Sequence, residues 1–99
     1  VQSDLPVVVD LYTTWCHWCT ELDGQIRNTS PHYGGRVKFV RIDYESLGAE
    51  ETVQRFTPAD VAGFPMLLFV NQGRIVSAES GYKTANELER TIDQTFNLR

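Results

Sequence analysis

The stretch VVVDLYTTWCHWCTEL, Val7 to Leu22, constrains this chain more than any other. An aspartate stands in the middle of an apolar, β-branched run, and the only two cysteines follow it, two residues apart. Val7 to Thr13, opened by Pro6, reads as a buried strand, and a helix is expected from about Cys16, with Cys19, Leu22 and Ile26 on one face at spacings of three and four. Cys16 then meets the unpaired backbone N–H groups and the positive end of the helix dipole, a setting that favours thiolate and lowers a thiol below its free value of about 8.5. The thiolate attacks disulfide sulfur. Cys19, one turn further in and more buried, suits the resolving role, in which attack on a mixed disulfide closes a Cys16–Cys19 bridge.

Asp10 raises a separate question. In a central strand covered on both faces a charged carboxylate is costly, so its pKa is expected to rise towards neutrality, where it can pass a proton. The bland alternative is an aspartate facing solvent at a strand end.

Other chemistry for the cysteine pair leaves traces that can be weighed. Cys19 is followed by twelve residues and then His32, which is zinc-finger spacing, but Arg36 stands where a second histidine is needed. Haem attachment requires histidine directly after the second cysteine, and Thr20 is there. A purely structural bridge closes so small a loop that it stabilises little. No metal is assigned, and no bound cofactor is expected beyond the redox-active pair itself.

Ninety-nine residues form one domain, 1–99, and 41% apolar residues suit a globular core. The longest apolar run, FPMLLFV from Phe64 to Val70, is too short to span a bilayer. A net charge of -4 without a basic stripe argues against a nucleic-acid partner. The chain starts at Val1 with no export signal before the fold, so any signal is expected to have been removed or never to have existed and compartment is not written here; an excised or processed start leans towards an exported protein or a domain cut from a longer chain, with a cytoplasmic one still open.

Further along, Val37 to Asp43 alternates like a second strand, after a turn-forming stretch NTSPHYGG from Asn28 to Gly35. A helix is expected across GAEETVQRF, ended by Thr57-Pro58. PMLLFV and RIVSAES flank Asn71-Gln72-Gly73 as a hairpin, and Thr84 with Glu87 forms a capping box opening a last helix that carries Leu88, Ile92 and Phe96 on one side. The order predicts an α/β fold: a right-handed βαβ unit followed by a ββα unit, a mixed sheet flanked by helices.

Together with VAGFP at 61–65, NQG at 71–73 and SGY at 80–82, the VVVDLYTTWCHWC stretch resembles the thioredoxin superfamily over nearly the whole chain. Within it, DLYTTWCHWCTEL looks most like exported thioredoxin-like proteins and the C-terminal domain of the disulfide-interchange protein DsbD. The resemblance implies a thioredoxin fold lacking most of the usual N-terminal strand and helix. It implies that Pro65 is a cis-proline facing the cysteines, that Phe64 offers backbone to an extended substrate, that Gly81 lets substrate approach, and that Trp15 packs beside the nucleophile. Asp10 matches the aspartate that works as acid and base on the second cysteine. Phe39 stands where many relatives carry a buried lysine, so Asp10 is expected to lack a cation and be shifted by desolvation alone. Gly24 replaces a frequent helix-kinking proline.

The expected activity is thiol-disulfide exchange with protein thiols and disulfides, as a reductase or redox relay, by a monomer. His17 and Trp18 inside the motif are expected to set redox poise and to flank a partner. The competing class is a peptide-binding module that grips its ligand at Phe64-Pro65, with the cysteines as a permanent bridge or metal clip.

Overall fold

The computed structural model describes residues 5–46, 48 and 63–98. Four strands, β1 (Val7–Tyr12), β2 (Lys38–Asp43), β3 (Met66–Asn71) and β4 (Arg74–Ser80), form one sheet of order β2-β1-β3-β4. Helix α1 (His17–Thr29) joins β1 to β2, and α2 (Ala85–Thr95) follows β4. The two strands joined through α1 are parallel, whereas β1 with β3 and β3 with β4 run antiparallel.

β1 is therefore an inner strand, paired on one edge as Asp10↔Arg41 and on the other as Asp10↔Leu67. Its period of two divides the core. Val8 packs with Leu22 and Ile26 of α1, with Leu67 and Phe69 of β3, and with Leu88 and Ile92 of α2. Val7, Val9 and Leu11 belong to the opposite face, with Leu68 and Val70. Asp10 shares the parity of Val8, so the pleat sends its carboxylate beneath α1. Each fully buried leucine or isoleucine here is worth about 2 kcal/mol of transfer free energy, which is why one polar residue can be carried among them.

Local signals set the element ends. The hairpin turn is Gln72-Gly73 between the pair Asn71↔Arg74, with φ of 54° and 78°, the two-residue geometry whose twist matches the flanking strands. Thr84 Oγ1 accepts from the backbone N–H of Glu87, whose carboxylate accepts from the backbone N–H of Thr84, completing the capping box. Gln25 Oε1 also accepts from the N–H of Ala85 at 2.8 Å, tying the start of α2 to α1.

The stretch read as turn chemistry after α1 is more ordered than expected. The helix runs on to Thr29, and a 3-10 helix follows over Ser30–Tyr33. Tyr33 is buried, and its hydroxyl donates to Asp93 Oδ1 at 2.8 Å on α2. Turn-rich composition hid an aromatic anchor between the two helices. His32, beside it, is also no free loop residue, since its Nδ1 lies 2.7 Å from Glu89 Oε2. The helix expected across GAEETVQRF, apart from Gly48, and the TPAD loop lie outside the described residues.

Gly24 sits on the exposed side of α1, and a Cβ built there meets no atom within 4 Å. Gly24→Ala is expected to stabilise the fold by about 1 kcal/mol, because alanine loses less backbone entropy in a helix than glycine. Urea unfolding of the two proteins measures this as a rise in midpoint at unchanged slope. Among the described residues no helix is long and apolar enough to cross a membrane.

Candidate active site

Cys16 is the N-cap of α1. Its φ of -90° and ψ of 112° are extended, and its Sγ accepts the backbone N–H of Cys19 at 3.1 Å. A sulfur has taken the place that a serine or aspartate oxygen usually fills at such a terminus, which presents it to the free donors of the first turn. The two cysteines are unbridged here. Cys16 keeps 8% of its surface exposed and Cys19 only 1%, so the outer sulfur is the one a partner can reach. Burial pushes the Cys19 thiol up to about 12, helped by its interaction with Cys16 and by the negative charges of Cys16 and Asp10.

Asp10 lies behind this pair, 1% exposed, and burial raises its carboxyl from 3.8 to about 6. The structure corrects one expectation about it. Asp10 is not without a cation: Arg41 Nε lies 3.5 Å from Asp10 Oδ2, and this guanidinium partly opposes the upward shift. Phe39 does occupy the position examined for a lysine, but residues 39 and 41 share a face of β2, and the register sets Arg41 directly opposite Asp10. The same Nε is 3.2 Å from Asp23 Oδ1, and the guanidinium carbon lies 3.9 Å from the centre of the Tyr12 ring.

A wall beside Trp15 and Trp18 of the motif comes from the second half of the chain. The Phe64-Pro65 peptide bond is cis, and Pro65 C=O accepts the N–H of Gly81 at 2.9 Å. Gly81 has φ of 100°, in the region that favours glycine, so backbone conformation demands glycine there. Phe64, Pro65, Gly81, Trp18 and Tyr82 line a shallow groove of 190 Å³. Trp18 is 55% exposed with its ring centre 5.3 Å from that of Tyr82, and His17 touches Trp18 from the other side, also exposed. Trp15, 68% exposed, meets the ring of Phe64 edge-on and donates its Nε1–H to Glu45 Oε2 at 2.9 Å.

The structure thus gathers Cys16, Cys19, Asp10, Trp15, Trp18, Phe64, Pro65 and Gly81 at one end of the sheet. Reading the sequence missed Arg41, Asp23 and Tyr82. Tyr82 is the last residue of the SGY match at 80–82, and no role was read for it there. Among the described residues no three of histidine, cysteine, aspartate and glutamate stand together as a metal site.

A mixed four-stranded sheet with an N-capping Cys-x-x-Cys and a cis-proline ahead of β3 defines a thioredoxin-type redox domain. Comparison agrees, since the family model Thioredoxin matches residues 1–94. The chain belongs to the thioredoxin family, whose members are disulfide oxidoreductases. It is 29% identical over 96 residues to thioredoxin C-2 of Corynebacterium nephridii, covering 97% of this chain and 84% of that one. Thioredoxin of Haemophilus influenzae is 28% identical over 96 residues, with coverage of 95% and 83%. Among solved structures, the germline-specific thioredoxin Deadhead of Drosophila melanogaster superposes with a TM-score of 0.77 at 24% identity, covering 93% of this chain and 82% of that one.

Proposed function

We propose that this chain reduces protein disulfides by thiol-disulfide exchange through Cys16 and Cys19, without a bound cofactor. One observation carries the reading: a reachable sulfur at the cap of α1 has a buried thiol one turn behind it and a near-neutral carboxyl behind both.

Cys16, as thiolate, attacks one sulfur of the substrate disulfide; a new S–S bond forms, the old one breaks, and the first substrate thiolate leaves. The Cys19 thiol then gives its proton to the Asp10 carboxylate and its sulfur attacks Cys16. The Cys16–Cys19 bond forms, the second substrate thiolate departs, and it takes a proton from water. Two electrons have moved from the protein dithiol to the substrate. A thiol held near 12 looks like a poor attacker, but two of the causes lie in the reduced Cys16, its hydrogen-bonding interaction and its charge. Both vanish once Cys16 is joined to substrate, which eases the Cys19 thiol downward, while burial, the largest cause, persists and makes a nearby base necessary.

The groove beside Trp18 and Tyr82, with the free face of Phe64-Pro65, suits an extended peptide carrying an apolar side chain next to its cysteine. The likeness of DLYTTWCHWCTEL to exported thioredoxin-like proteins supports a reducing relay outside the cytoplasm. Equilibration in glutathione buffers, followed by turnover of a protein disulfide with a dithiol as electron source, tests the function. A measurable potential with catalytic turnover is expected. A bridge that neither strong dithiols nor glutathione open, with peptide binding retained, would replace this reading by the binding module.

A further inference from the structure

Both carboxylate oxygens of Asp10 are buried, and among the described residues neither has a close hydrogen-bond partner, Arg41 Nε standing 3.5 Å from Oδ2. Asp10 borders a 220 Å³ cavity between α1 and β2, lined also by Asp23, Arg27, Phe39 and Arg41. Such a volume holds several waters at about 30 Å³ each, with Asp23, Arg27 and Arg41 as polar partners beside the apolar Val8, Ile26 and Phe39. Exposure is graded along the charged groups. The Asp10 side chain is 2% exposed, Asp23 17%, Arg41 42% and Arg27 77%. One guanidinium stands between two carboxylates, and Arg27 Nε holds the far oxygen of Asp23 at 3.0 Å.

We propose that Arg41 and Asp23 are positioning residues for Asp10: Arg41, shared between the carboxylates and steadied on Tyr12, supplies the cation from the neighbouring strand; Asp23 draws part of that charge away; and the cavity lets Asp10 exchange its proton with water on the side away from the sulfurs. This rests on the exchange reading above. During the second step substrate is bonded to Cys16 and covers the outer face, so a route beneath α1 leaves Asp10 able to shed the proton taken from Cys19. The acid releases that proton to water and the carboxylate is regenerated, balancing the proton taken up by the departing thiolate.

The charged groups facing Asp10 act with opposite signs. Arg41 of β2 favours its ionised form, Asp23 of α1 opposes it, and Cys19 of α1 lies close enough to feel it. Removing one or the other must therefore move Asp10 in opposite directions, which loosened packing does not do.

The experiment is rapid-mixing measurement of mixed-disulfide resolution from pH 5 to 9, using the full chain and its Asp23→Asn, Asp23→Glu and Arg41→Gln variants. Asp23→Asn is expected to shift the acid limb of the rate down by about half a pH unit or more, and Arg41→Gln to shift it up by a similar amount. Asp23→Glu should keep the wild-type limb. Limbs that coincide in all four proteins, or that move the same way in Asp23→Asn and Arg41→Gln, overturn the assignment. Wild type and Asp10→Asn are run alongside: if wild type forms no resolvable mixed disulfide, the exchange reading itself falls; if Asp10→Asn slows resolution while the limbs coincide, only the roles of Arg41 and Asp23 fall.

Discussion

Cys16→Ser is expected to lose protein-disulfide reduction by about three orders of magnitude or more, because a serine hydroxyl stays protonated at neutral pH and is no nucleophile towards sulfur. Cys19→Ser should behave differently. It keeps the reachable sulfur, so a first attack proceeds and a stable one-to-one mixed disulfide accumulates, seen by mass spectrometry as an adduct of substrate mass that a dithiol removes. The asymmetry follows from the geometry, in which only Cys16 retains exposure at the cap of α1 while Cys19 is enclosed. Equal trapping by both variants would contradict the assignment of attacking and resolving sulfur.

The second large effect concerns Asp10. Its carboxyl titrates near 3.8 when unfolded and near 6 in the fold, so between those values the unfolded chain has released a proton that the native state still holds. Stability from this group is therefore full below about pH 4, falls as pH rises through 6, and is then lower by about 3 kcal/mol. Asp10→Asn should abolish that fall, leaving the variant more stable than wild type at pH 8 by an amount absent at pH 4. The same substitution removes the base for Cys19, and resolution of the mixed disulfide should slow by about a hundredfold at neutral pH. Denaturant melts across pH and rapid mixing give the two numbers. A variant less stable at pH 8, or equally fast, refutes the role given to burial.

What could be read from the residues depended on the range of the interactions. The capping box at Thr84, the turn at Gln72-Gly73 and the sulfur cap at Cys16 are each written within four residues, and all three were legible. Arg41 was not. Its meeting with Asp10 requires the parallel register of β1 with β2, and its contact with Asp23 requires the rotational phase of α1 as well. Phe39 lies two residues away on the same face of β2 and pairs with Val8 instead. Tyr33 was missed for a different reason: proline and two glycines around it mark a bend, and nothing local shows that a bend can bury its aromatic ring against α2.

The register of β1 with β3 has a further consequence. Val7 to Leu11 pair with residues 66–70, so the wall at Phe64-Pro65 and Gly81 comes to the end of β1 near the cysteines from 45 or more positions away in sequence. On the proposed function, reactivity and discrimination are encoded at different ranges: the dithiol comes from one short segment, while the surface proposed to grip the substrate is assembled from afar. On that reading, partial unfolding would leave a dithiol still able to exchange with disulfides but without the surface that selects them, so global stability would guard fidelity more than chemistry.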